Sequence, residues 1–446
     1  MSASPAAASP EVAPVNANVV LVDPYSSGVA LGRTLRRAGF ATYAVLTSPA
    51  PDPRYTRTFK RGDHSGVISA DAGFERVLRR VRSVGPGAVL PGAESGVELA
   101  DALAARLTPQ LSNDPALSRA RRDKAAMLAA VRAAGIPTIR TVAITDSRDC
   151  VAAAAAAGLS TANGDLVVKP TRSSLSDGLT LVRAGGDLAA AVRGVLGARN
   201  LLGAVNETVL VQERIHGTEY VVDTFTENGR HAVTNVCRYS KVAVGESFAV
   251  YESTDFVPED AAENPALIAY VRRVLDTLGV RFGPCHTEVV LTADGPLLME
   301  TGARLAGAGL AGACELATGS SALTRYVHRL RGEHPDEADY TLRRRVRGVY
   351  LVFDRSGVVS NTAALDRVRT LRSCRHFQLD LRDGDPVRPT TGLMSTMSRG
   401  WALLAHRDPA QVNADHARLR QIERELRITP FEKELFETEL FEKEVP

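Results

Sequence analysis

The segment at residues 287–304, TEVVLTADGPLLMETGAR, holds two apolar runs around Ala293-Asp294-Gly295. A three-residue turn with glycine at its left-handed position would fold the runs into an antiparallel ribbon. Thr292 then faces Pro296 and Glu288 faces Glu300, with opposed side chains ~5 Å apart on one face. Like charges so placed repel unless a cation or a proton lies between them. Hard oxygen donors at that spacing suit Mg²⁺, which keeps several waters and commonly bridges to phosphates. A solvent-screened glutamate pair is the mundane alternative, and the neighbours argue against it. His286 shares the face of Glu288, and Arg304 offers a bidentate fork within a glycine-rich stretch that admits close backbone approach. A two-residue turn would instead put Glu300 on the opposite face.

Lys169 closes the apolar run VVKP, where a buried ammonium is costly unless it meets an anion. Next come Ser173, Ser174, Leu175, Ser176, Asp177 and Gly178, a small-residue loop able to offer backbone N–H groups to phosphates; a plain linker has the same composition. Lys124 opens a helix, where a solvated lysine is the ordinary case. In VQERIHGTEY, Glu213 and Glu219 flank a turn at Gly217. Such a turn can present main-chain groups to a purine edge and a carboxylate to ribose hydroxyls, or be a plain turn with exposed acids.

These residues need elements to hold them. From Asn18 to Leu111, apolar runs (NVVLVD, FATYAVLT, GAVLPG) alternate with helical patterns, which predicts a parallel sheet covered by helices. SSGVALG lacks the GxGxxG spacing of a dinucleotide loop, so helix–sheet packing is the expectation for Gly28 and Gly32. Residues 112–330 read as helices and strands, with a hairpin turn at Glu227-Asn228-Gly229. Residues 331–427 alternate again, and residues 428–446 are an acidic repeat, FEKEL-FETEL-FEKEV, read as a solvated tail, with a docking peptide as the alternative. The Ala-, Pro- and Ser-rich residues 1–17 read as a disordered leader.

The chain has 446 residues, and 54 Lys plus Arg against 51 Asp plus Glu leave a net charge of +3. That balance argues against a nucleic-acid partner held by bulk charge. No apolar run is long enough for a membrane span. The five cysteines are scattered without a CxxC pair, which suits a reducing, cytoplasmic setting rather than a disulfide framework or zinc site.

In order, DK, VVKP, SxSDG, QExxxGxEYxVD, HTE and ETGAR over Asp123 to Arg304 resemble the ATP-grasp superfamily. Within it the chain is similar to the L-amino-acid ligases (dipeptide synthetases), with VDPYSSG and GxxHxE supporting that group. The resemblance implies an α/β protein with an N-terminal parallel α/β domain, central nucleotide-binding α+β domains and a smaller C-terminal α+β region. It implies ATP and Mg²⁺ as cofactors. Lys124 and Lys169 would contact ATP phosphates under the loop Ser173, Ser174, Ser176, Asp177 and Gly178. Gln212, Glu213 and the Ile215 backbone would meet the adenine side, Glu219 the ribose, and Glu288 and Glu300 the metal. Arg304 would steady the transferred phosphoryl group, and His286 would lie beside an amino-acid substrate. The implied reaction joins a carboxylate to an amine through an acyl-phosphate, as in dipeptide and antibiotic biosynthesis, with amino-acid-like partners; a homodimer is left open. One departure stands out: Gly302 occupies the place of the Asn in the family's ExNxR pattern. It keeps a non-catalytic nucleotide sensor among the alternatives, beside a biotin-carboxylase-type carboxylase.

Overall fold

Val19, Val20, Leu21 and Val22 have no polar side chain among them and are 0% exposed, as expected of a strand covered on both faces. This strand, β1 (Asn18–Val22), lies inside a four-stranded parallel sheet with β2 (Ala41–Leu46), β3 (Gly66–Ser69) and β4 (Ala88–Pro91), in the order β3-β2-β1-β4. β3 was not expected: its GVIS run is too short to show a period. The computed structural model describes residues 14–48, 52–71, 73–174, 176–245, 247–333 and 338–431. Most of the expected leader and acidic tail, and Leu175 of the serine loop, lie outside them.

The carboxyl ends of β1, β2 and β4 are tied together by one buried carboxylate. Asp23 accepts hydrogen bonds from Thr47 N (2.8 Å), Thr47 Oγ1 (2.5 Å) and Ser95 Oγ (2.6 Å). Asp23 and Ser26 both take positive φ, 51° and 48°, which costs a non-glycine residue on the order of 1–3 kcal/mol and tends to cluster at functional sites. Gly28 is a close-approach residue: a Cβ there would sit 2.6 Å from Gly92 O.

A second sheet has the order β5-β8-β6-β7, from β5 (Thr141–Ile144), β6 (Leu166–Pro170), β7 (Thr180–Val182) and β8 (Val209–Glu213), with antiparallel pairing throughout. The helix Lys124–Ala133 precedes it, with Asp123 as N-cap accepting from Ala125 N and Ala126 N. Met127, Leu128 and Val131 form its buried face and share one core with Leu267, Val271 and Val274 of the helix Asn264–Thr277.

The remaining strands are β9 (Thr218–Glu227), β10 (Arg230–Val244), β11 (Ser247–Phe256), β12 (Phe282–Thr292), β13 (Gly295–Gly302), β14 (Arg345–Tyr350), β15 (Gly357–Ser360), β16 (Cys374–Leu379), β17 (Pro386–Val387), β18 (Gly400–His406) and β19 (Arg427–Thr429). Eight of them build one antiparallel sheet, β13-β12-β9-β10-β11-β14-β18-β16, and three another, β17-β15-β19. Asn228 and Gly229, at φ 50° and 78°, make the two-residue turn between β9 and β10. The C-terminal region is not set apart by its sheet, because β14 pairs with β11. Val19 and Leu21 of β1 share a core with Phe225, Phe282 and Tyr326, which packs the parallel sheet against the large one. Among the described residues no helix is long and apolar enough to cross a membrane.

Candidate active site

The β12–β13 ribbon differs from the sequence expectation in its turn and agrees in its outcome. Thr292 faces Gly295, not Pro296, so the turn has two residues, Ala293 and Asp294. Left regular, that register would oppose Glu288 to Met299. A bulge intervenes: Val289 pairs with Leu298 and Glu288 with Glu300, leaving Met299 as the extra residue. Such a bulge re-aims side chains next to functional sites, and here it returns Glu300 to the face of Glu288. The reverse face is closed by Thr287 Oγ1 and Thr301 Oγ1, 2.8 Å apart.

Glu288 and Glu300 line a cavity of about 310 Å³ together with Lys124, Lys169, Glu219 and Arg304. His286 and Ser173, Ser174, Ser176 and Asp177 of the loop line it too. Lys124 is buried, unlike an ordinary helix-opening lysine, because its Nζ pairs with Glu300 Oε2 at 2.9 Å and donates to Ser173 O at 2.9 Å. Burial opposes the Glu300 charge, yet Lys124 and Lys169 outweigh it and hold the carboxyl down at about 2. Burial brings Lys169 down to about 8, with Glu300 pulling the other way. An ammonium so placed is stabilised by an incoming anion. Ser174 Oγ is buried with no hydrogen-bond partner among the described residues, a donor that a phosphate oxygen would satisfy.

His286 Nδ1 lies 2.7 Å from Asp223 Oδ1 and its Nε2 3.4 Å from Glu288 Oε1. Burial works against its charge, but Asp223 and Glu288 outweigh it and raise it to about 10. Asn235 Nδ2 donates to Asp223 Oδ2 at 2.9 Å. Asp223 was not singled out as a site residue, though it faces His286 directly across β9 and β12; the pairing of those strands is the signal that would have found it. Glu219 is bound by Lys241 Nζ at 2.6 Å, and that ammonium sits 4.4 Å from the centre of the Tyr251 ring. Burial raises the Glu219 carboxyl despite Lys241.

Arg304 donates from Nε to Glu94 Oε2 (2.8 Å) and from Nη1 to Leu305 O (2.9 Å). Glu94, missed in the sequence, comes from the loop after β4. A Cβ at Gly302 would stand 2.7 Å from Glu94 Oε2, so a side chain there would have to displace the end of that carboxylate.

Four expected contact residues are not brought to the cavity wall. Gln212 Nε2 donates inward to Thr141 Oγ1 (2.7 Å), and Glu213 Oε1 accepts from Arg140 N (2.9 Å). Ile215 follows the end of β8, outside the lining. Gly178, at φ 73°, packs beside Pro170 and shapes the loop from behind.

Among the described residues no three His, Cys, Asp or Glu side chains form a metal cage. Glu288 and Glu300 supply two hard oxygens, which leaves the remaining positions of an octahedral Mg²⁺ to water and phosphate. The donor set therefore fits a magnesium held jointly by protein and nucleotide.

Residues 162–312 match the ATP-grasp domain family. Over 421 residues the chain is 27% identical to dapdiamide A synthase of Enterobacter agglomerans, covering 91% of this chain and 95% of that one. The fold resembles that of an L-amino acid ligase from Bacillus licheniformis, with a TM-score of 0.68, 18% identity and coverage of 94% and 100%. It also resembles a carboxyaminoimidazole ribonucleotide synthase from Aspergillus clavatus complexed with ATP, with a TM-score of 0.66, 12% identity and coverage of 92% and 99%.

Proposed function

We propose that this chain, which carries an ATP-grasp domain at residues 162–312, is an ATP-dependent carboxylate–amine ligase acting on amino-acid-like substrates. Units at residues 18–111, 112–330 and 331–427 belong to the same reading. The observation that carries it is the bulged ribbon that opposes Glu288 to Glu300 beside Lys124, Lys169 and Arg304.

Lys169, brought down to about 8 by burial, binds the triphosphate oxygens, and Ser174 Oγ donates to one of them. Lys124 exchanges its hold on Glu300 for a phosphate oxygen. Glu288 and Glu300 would hold Mg²⁺, which would supply neutralisation of phosphate charge. A carboxylate of the first substrate attacks the γ-phosphorus; the bond to the β-γ bridging oxygen breaks, and ADP leaves. Arg304, anchored by Glu94, carries charge on the equatorial oxygens as they pass through the planar transition state. An uncharged amine then attacks the acyl carbon; the bond to the phosphate oxygen breaks, and the departing phosphate takes the proton that the amine nitrogen loses. His286, fixed by Asp223, holds Glu288 in place at the acyl end of the cavity. Ser173, Ser174, Ser176 and Asp177 along the cavity wall help keep water from the acyl-phosphate.

The test is a phosphate-release screen across pairs of amino acids, with product masses. A pair-dependent release of ADP and phosphate together with a condensed product is expected. Glu300→Ala and Arg304→Ala are expected to lower turnover at least ~100-fold while circular dichroism and the melting temperature show a folded chain. Near-normal turnover by either variant would remove the site assignment.

A further inference from the structure

The pairing of β9 with β10 carries a bulge of its own, and it decides which face β10 turns to the cavity. From Arg230–Glu227 to Val233–Thr224 the register is regular; beyond that Asn235 faces Asp223, which leaves Thr234 as the extra residue. Without that shift Thr234 would oppose Asp223, and Asn235 would oppose Val222 on the reverse face. The bulge therefore brings Asn235, and after it Tyr239 and Lys241 of the cavity wall, to the face that carries Asp223 and His286.

Three buried side chains now stand in one row across β12, β9 and β10, with His286 opposite Asp223 and Asp223 opposite Asn235. Asp223 offers one oxygen to each neighbour: Oδ1 lies 2.7 Å from His286 Nδ1, and Oδ2 accepts from Asn235 Nδ2 at 2.9 Å. A carboxylate only accepts, so the amide nitrogen of Asn235 is the end that faces it. The amide oxygen points away, 3.3 Å from Thr234 Oγ1. Bound at both oxygens, the Asp223 carboxylate has no freedom to turn, and the imidazole is fixed with it. His286 Nε2 then meets Glu288 Oε1 at 3.4 Å. The two glutamates of the ribbon differ here. Glu300 is paired directly with Lys124, whereas among the described residues His286 is the side chain that pairs with Glu288.

We propose that Asn235 is a positioning residue for Glu288, acting through Asp223 and His286, and that it sets the affinity of the site for its divalent cation. This rests on the reading of Glu288 and Glu300 as the residues that hold Mg²⁺. Outer partners of this kind orient a ligand before the metal arrives, and losing one typically costs about 10- to 100-fold in metal affinity.

The experiment measures Mn²⁺ binding to the full chain in the presence of ADP, by the relaxation of water protons, so that no turnover is needed. It compares the wild type, Asn235→Leu, Glu288→Gln and the double variant. Asn235→Leu keeps the bulk and removes the donor, and is expected to weaken Mn²⁺ binding at least about 10-fold. Because the effect passes through Glu288, the same change made in Glu288→Gln should cost nothing further. In turnover, half-saturating Mg²⁺ rises by the same factor, while kcat at saturating Mg²⁺ stays within about threefold. Asn235→Ala, which leaves room for a water against Asp223 Oδ2, carries the test if the leucine variant does not fold. Val236→Ala is the control: Val236 is fully buried on the other face of β10, so its loss lowers the melting temperature and leaves Mn²⁺ affinity unchanged. An Asn235 variant with unchanged affinity, an equal loss in the Glu288→Gln background, or a Val236→Ala loss of the same size overturns the proposal. If the wild type with ADP binds no Mn²⁺, or Glu288→Gln binds it as well as the wild type, the metal-site reading itself fails and takes this proposal with it.

Discussion

Gly302 and Glu94 fit together as a pair: the missing side chain on β13 is the room into which a carboxylate from the β4 loop reaches to hold Arg304. Restoring the family pattern with Gly302→Asn should therefore push Glu94 aside and release Arg304. A fall in kcat of about 10- to 100-fold is expected, the scale on which small misplacements of a positioned group cost rate, with Glu94→Gln reproducing part of it. Steady-state kinetics decide: a Gly302→Asn protein as active as the wild type, or more so, would mean the Glu94–Arg304 contact is dispensable. At this scale the legible residues are those whose charge is costly where the pattern puts it. Lys169 ends an apolar strand, and Glu288 and Glu300 interrupt two others. Glu94 and Asp223 carry no such local signature. Glu94 belongs to a loop of the parallel sheet, and only tertiary packing of that sheet against β12 and β13 brings it to the cavity.

The β12–β13 ribbon shows how an element can look right in sequence for an incomplete reason. A three-residue turn and a two-residue turn followed by a bulge both oppose Glu288 to Glu300. Turn residues alone do not separate them, because Gly295 can serve either, and a bulge at Met299 leaves no compositional mark. The helix Lys124–Ala133 is the opposite case: Asp123 before it and Gly135 after it are ordinary stop signs, and they bracket it in the structure. That cap has a second duty, since it sets the turn from which Lys124 reaches Glu300. Asp123→Ala removes the acceptor for Ala125 N and Ala126 N and the partner of Arg172 Nε at 3.4 Å. A stability loss of about 1 kcal/mol in denaturant titration is expected, together with a raised KM for ATP as Lys124 loses its footing. A lower midpoint with an unchanged KM would show the cap to be structural only.

Over the whole molecule, the alternation of strands and helices made the parallel sheet readable, because each unit is local in sequence. The large sheet was not, since its closing partners are remote: β11 meets β14 across almost a hundred residues of chain, and β18 and β16 follow. One ionic cluster secures that junction. Glu252 of β11 accepts from Arg420 Nε at 2.7 Å, with His416 Nε2 at 2.9 Å, and both partners lie on the helix Pro409–Glu423. Arg347 Nη1, always a donor, lies 2.9 Å from His416 Nδ1, which leaves Nε2 to donate to Glu252. Burial pushes the Glu252 carboxyl up, but the His416 hydrogen bond and the Arg420 charge win, bringing it from 4.5 to about 2. The unfolded chain therefore takes up this proton at a higher pH than the folded one. The cluster's contribution, on the order of 2 kcal/mol, is whole above about pH 4.5 and is lost as pH falls toward 2. Glu252→Gln should accordingly be less stable than the wild type at pH 7, with the gap narrowing steadily between pH 5 and pH 3. Denaturant midpoints across that range measure it; a gap that does not change with pH would assign the loss to packing and not to charge.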